Sequence, residues 1–204
     1  KNSSGAVADV ELIGSAKSGD LESTLKLIGN GEVGSVTGSG NSANTKLVLS
    51  GEGTNRATIT TKDLGTDNNA LGVVALDNAK GTVTGGVVAG TLELNNSEMD
   101  LSGALKTRAL ENTNNTDRNR TGDVKVTGQS SLNLASADIG GSLTIDANSS
   151  FKTKDNGSVS VKGATLVDGS GSSYVASGDS NMGDVTVKNG ATFGYDAEGH
   201  PVGG

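Results

Sequence analysis

The sequence predicts an all-β chain wound as a parallel β-helix, a solenoid of about nine coils with polar loop insertions, forming one domain over residues 1–204. Three observations carry that prediction. A short unit of similar sequence recurs along the chain, its apolar residues alternate with polar ones, and large side chains are too scarce for an ordinary globular core.

The scarcity limits what the repeats can mean. The chain has 32 Gly, one Pro, one His, no Cys, no Trp, two Phe and two Tyr, and AVILMFWYC residues are only 32 %. Such a composition approaches that of disordered chains, so order requires the few apolar residues to be placed with great regularity. A net charge of −7 and a pI near 4.7 argue against a nucleic-acid partner, which needs concentrated Lys and Arg. No run of 18 apolar residues is present to span a bilayer as a helix. The missing cysteines exclude a disulfide scaffold.

The regularity lies in the repeats. "GSLTIDANSSF" (141–151) and "GDVTVKNGATF" (183–193) are near twins, and nine such units open at Ala8, Ser23, Thr45, Gly72, Gly90, Gly122, Gly141, Gly157 and Gly183. Their third position holds Val10, Leu25, Leu47, Val74, Leu92, Val124, Leu143, Val159 and Val185. Their fifth holds Leu12, Leu27, Leu49, Leu76, Leu94, Val126, Ile145, Val161 and Val187. All eighteen are Val, Leu or Ile, where the bulk composition would place about six. The residue between is polar in seven units of nine, which is the in–out–in signature of a half-buried strand.

A turn follows each strand, marked by Gly29-Asn30-Gly31, Asp77-Asn78, Asn95-Asn96 and Asn189-Gly190, residue types that tolerate positive φ. A second apolar step comes after it, at Val33, Val83, Leu101, Leu132, Phe151, Leu166 and Phe193. Unit starts are 15 to 32 residues apart. One unit cannot bury its apolar face alone, but coils stacked at about 4.8 Å pair each strand with those above and below.

The pattern G-x-[VL]-x-[VI]-x-x-[GNS]-[AS]-[TS]-[LF], at Gly122, Gly141, Gly157 and Gly183, resembles the coils of passenger domains of classical (type V) autotransporters of Gram-negative bacteria. Two-partner-secreted haemagglutinin-like proteins have similar coils. The resemblance covers roughly Ala8 to Phe193 and implies a right-handed β-helix exported across the outer membrane to the cell surface. It also implies a longer parent, whose signal peptide and C-terminal barrel lie outside these residues.

Motifs that carry chemistry are weak. "GNGEVG" (Gly29, Gly31, Gly34) has dinucleotide-loop spacing, but no helix period follows it, so it is read as a coil turn. "GDSNMG" (178–183) begins like the loop around a serine nucleophile, yet the only imbidazole-bearing residue, His200, lies in the tail beyond the last unit. Asp123 and Asp184 share a unit position, but the other units form no acidic stripe there. No zinc-ligand spacing is present, and the reading is of a protein without metal, cofactor or catalytic residues.

Two interruptions of the repeat are more informative. "KTRALENTNNTDRNR" (106–120), within a loop near 102–121, is polar, Asn-rich and carries Lys106, Arg108, Arg118 and Arg120; it is expected to project and offer ligand or self-association contacts. A second excursion, 167–182, contains Tyr174, read as a contact residue or as packing on the helix side. Phe151 and Phe193 share a column with Leu132 and are assigned to the core.

Together these readings give a non-enzymatic adhesin fragment, surface-exposed or extracellular. Its partners are a host glycan or matrix protein, or further copies of itself, held by many weak polar contacts. A passive stalk and a polysaccharide-acting β-helical enzyme are the alternatives; the latter needs clustered carboxylates on one face.

Overall fold

The computed structural model describes residues 7–15, 17, 21–112, 115–195 and 201–203. Its chain winds through about eight turns of a parallel β-helix. Three ladders of parallel strands run along it. The first stacks Ser23–Ile28, Thr45–Ser50, Leu71–Asp77, the second half of Val87–Asn95, Val124–Thr127, Leu143–Ile145, Thr165–Asp168 and Val185–Lys188. The second stacks Gly31–Glu32, Ala57–Thr61, Ala79–Val83, the first halves of Glu98–Thr107 and Ser131–Ile139, then Ser150–Thr153, Ser173–Val175 and Thr192–Tyr195. The third starts with Val10–Gly14 on Val36–Gly40 and passes through single bridges at Leu64 to Val87. It continues through the second halves of Glu98–Thr107 and Ser131–Ile139 to Val159–Val161 and Ser180–Met182.

The alternation read from the sequence is the alternation of the pleat. Along the first ladder Leu47, Val74, Leu92, Val124 and Leu143 stand in register, and Leu49, Leu76, Leu94, Val126, Ile145 and Val167 form a second file; all are buried. None of the residues between the two files is buried. At the outermost rungs the inward residues have a neighbour on one side only. Val10, Leu12, Leu25, Leu27 and Val187 are therefore half-buried, and Val185 is 41 % exposed.

The register departs from the nine-unit reading at two places. Val10–Gly14 and Val159–Val161 belong to the third ladder, and the first-ladder rung between Ile145 and Val185 is Thr165–Asp168. Leu143 to Thr165 is then 22 residues and Thr165 to Val185 is 20, a more even winding than the sequence columns give. The segment 167–182 is not an excursion, because it contains Ser173–Val175 and Ser180–Met182, rungs of the second and third ladders.

Each turn after the first ladder passes through left-handed backbone, at Asn78 (φ 52°), Asn96 (φ 45°) and Asn189 (φ 57°) among others. Asn tolerates this region best among residues with a side chain, and here the side chains also stack, Asn96 Nδ2 donating to Asn78 Oδ1 at 3.1 Å. Just inside the turns runs a buried column of serines. The Oγ of Ser97 accepts from the Ala79 N–H at 3.1 Å, that of Ser130 from the Ser97 N–H at 3.0 Å, and that of Ser149 from the Ser130 N–H at 3.0 Å. Corner amides with no strand partner are thus satisfied by hydroxyls of the following coil. At the opposite corner backbones touch: a Cβ on Gly163 would lie 2.7 Å from the Gly141 carbonyl oxygen, so only glycine fits.

Candidate functional site

The insertion that was expected to project folds back instead. Lys106 still belongs to the third ladder, facing out beside Asp138 of the next coil. The chain leaves at Arg108, pairs Ala109–Leu110 with Arg120–Thr121 in an antiparallel hairpin, and returns at Gly122; residues 113 and 114 lie outside the described residues. Its polar side chains reach toward earlier coils. Arg108 Nη2 donates to the Asp67 carbonyl and Lys106 Nζ to the Asp67 carboxylate, each at 2.6 Å. Asn41 Nδ2 donates to Asn112 Oδ1 at 2.9 Å, and Arg118 donates to Asn44 Oδ1. Arg120 donates to the Ala43 carbonyl at 3.1 Å and pairs with Glu22 at 2.5 Å. The insertion is a strap across the flank. Its cations are drawn to two separate anchors, around Asp67 and around residues 22 and 43–44, not assembled into one outward basic patch.

Tyr174 is no surface contact either. It is 1 % exposed and stands on the second ladder between Phe151 and Phe193, with ring centroids 5.4 and 4.6 Å away and rings nearly parallel. Phe151 in turn sits on Leu132, as the shared column predicts. The Tyr174 hydroxyl bonds Ser180 Oγ at 2.8 Å, and burial pushes the phenol up to about 12 against the weaker opposing effect of that bond.

The other candidates resolve as structure. Asp123 Oδ1 accepts from the Ser142 N–H at 2.8 Å, and the same device recurs where Asp9 accepts from Ser35 at 2.7 Å and Asp63 from Gly86 at 2.8 Å. Asp184 lies three rungs from Asp123, about 14 Å at the inter-strand spacing, so the two do not act together. Gly29 is a left-handed turn residue, as a coil turn requires. His200 lies outside the described residues. Among the described residues no three His, Cys, Asp or Glu side chains are grouped to hold a metal ion.

A groove of about 460 Å³ opens on the third ladder, which the sequence reading missed. Its rungs are in register: Lys106 on Asp138, Asp138 on Ser160 and Ser160 on Asn181. A parallel file holds Ala104, Ser136, Ser158 and Asp179 beside the bend where the chain crosses from the second ladder. The hollow exists because most of these side chains are short. Serines at outward positions in "ASADIG" and "GSVSV" are its only mark in the sequence. Elsewhere outward side chains pair between coils, as in Arg56–Glu98, Lys154–Asp100 and Lys188–Asp168. Asp138, Ser158, Asp179 and Asn181 are exposed, Ser136 and Ser160 half-buried, and among the described residues none of these six side chains has a hydrogen-bond partner.

Comparison with protein-family models, with curated proteins and with solved structures finds no match for this chain.

Proposed function

We propose that this chain is an attachment module of the autotransporter-passenger type, a non-catalytic fragment of a bacterial surface or extracellular adhesin. The observation that carries the reading is the groove on the third ladder, where polar groups of three successive coils are left open to a partner. A scaffold of stacked coils repeats weak polar contacts at a fixed spacing, and display in many copies multiplies them into avidity. Host glycan, matrix protein and a second copy of the chain are the partner classes this reading admits. The stacked-coil fold and the resemblance of the coils support export to the cell surface through a C-terminal barrel.

The test is display of the full-length parent on cells lacking adhesins. Clumping, or attachment to a glycan and matrix panel, is the expected result. Cells that neither clump nor attach to any member of the panel would contradict the proposal.

A further inference from the structure

We infer that the groove over 104–106, 136–138, 158–160 and 179–181 is a binding site for a neutral, hydroxyl-rich linear glycan lying along the solenoid axis. The inference rests on the attachment reading and assigns its ligand and seat.

The lining sets the chemistry. Ser136, Ser158 and Ser160 each offer one donor and two acceptor lone pairs, Asn181 offers both kinds of group, and the carboxylates of Asp138 and Asp179 accept only. A partner that satisfies this set must itself carry many donors that are also acceptors, which describes sugar hydroxyls. Charge removes the anionic glycans. Two carboxylates line the groove, and its one cation, Lys106, is already held by Asp67 at 2.6 Å, so a sulfate, phosphate or uronate would meet uncompensated negative charge.

Shape and backbone remove other partners. Four rungs from Lys106 to Asn181 span about 14 Å along the axis, an elongated strip in place of a closed pocket. The backbone amides of the floor are committed between coils, as in Ala137 N–H to the Ser158 carbonyl at 3.0 Å and Val159 N–H to the Asp179 carbonyl at 2.9 Å. A peptide therefore finds no strand edge to extend. Among the described residues no aromatic ring lines the groove, so recognition is through hydrogen bonds and each contact is weak.

The test titrates isotope-labelled chain by NMR with three probes: neutral linear hexasaccharides, a heparin-type sulfated hexasaccharide, and a Lys/Arg-rich peptide. The expected result is that a neutral oligosaccharide shifts amides of the four groove segments and leaves 23–28 and 45–50 unmoved. Ser158→Lys and Ser136→Lys, both on the outward file, should keep the circular dichroism spectrum and weaken that binding about tenfold or more. Absence of shifts with every neutral sugar, shifts outside the groove, or preference for the sulfated sugar or the peptide overturns the proposal. Displaying both variants on cells separates the two readings. Native and variant cells that attach equally leave the attachment function standing and remove the groove as its seat, whereas a groove that titrates on a parent that never attaches does the reverse.

Discussion

Tyr174 shows how a polar-tipped residue becomes part of a β-helix core. Its ring fills the second-ladder file between Phe151 and Phe193, and its hydroxyl reaches Ser180 at the neighbouring corner. Tyr174→Ala should cost about 3–5 kcal/mol in urea unfolding, and Tyr174→Phe, which loses one hydrogen bond, about 0.5–1.5 kcal/mol. The pH dependence has a definite sign. The folded phenol titrates near 12 and the unfolded one near its ordinary value of 10, so the neutral form is favoured by folding. Its contribution is fully present below pH 10 and is lost as pH rises from there to about 12. Tyrosinate absorbance in a Tyr195→Phe background checks this, and a folded titration at the ordinary value would contradict it. Phe151 and Phe193 were legible because they share a column with Leu132. Tyr174 was less so, since its neighbours in "GSGSSYVASG" are loop-forming types that hide a three-residue rung.

At the scale of elements, the strap fastens the earlier coils. Arg120 and Glu22 are 98 residues apart, with side chains only 17 % and 22 % exposed, and Arg120 also holds the Ala43 carbonyl. Arg120→Ala should cost about 1.5–3 kcal/mol, because it leaves Glu22 and that carbonyl without their donor. Arg120→Lys should not restore the loss, as one ammonium cannot reproduce the guanidinium fork. Hydrogen exchange should show lost protection in 23–28 and 45–50 with 143–145 and 165–168 unchanged; uniform loss, or none, contradicts the clamp. Composition reads a loop near 102–121 where 102–107 is still ladder strand and the chain leaves only at Arg108, and local pattern says nothing about partners 39 to 98 residues away. The misplaced rungs have a related cause. Val159-Ser160-Val161 and Leu143-Thr144-Ile145 carry the same in–out–in signal on different faces, while Thr165-Leu166-Val167 buries a threonine and leaves a leucine half-buried on the outward side, inverting it. The groove was illegible because small polar side chains look alike wherever a strand faces water.

For the whole molecule, stacking of inward aliphatics rather than surface charge holds the coils together. Ion pairs between coils such as Lys80–Glu98 at 3.8 Å and Lys125–Glu93 at 3.7 Å are about half exposed, and such pairs contribute about 0–1 kcal/mol each. Raising ionic strength to about 1 M, where charges are screened beyond roughly 3 Å, should leave the thermal midpoint nearly unchanged. A steep fall would mean that the outward charges carry the stack. The central claim, parallel coils in one defined register, is tested most directly by cross-linking, because the sequence has no cysteine of its own. Thr144 pairs with Leu166 across adjacent first-ladder rungs, at the roughly 4.8 Å spacing that a disulfide bridges, whereas Ser160 lies on another ladder. Under mild oxidation Thr144→Cys/Leu166→Cys should close to a monomeric disulfide and Thr144→Cys/Ser160→Cys should not; closure of the second pair and not the first would contradict the register and the groove built on it.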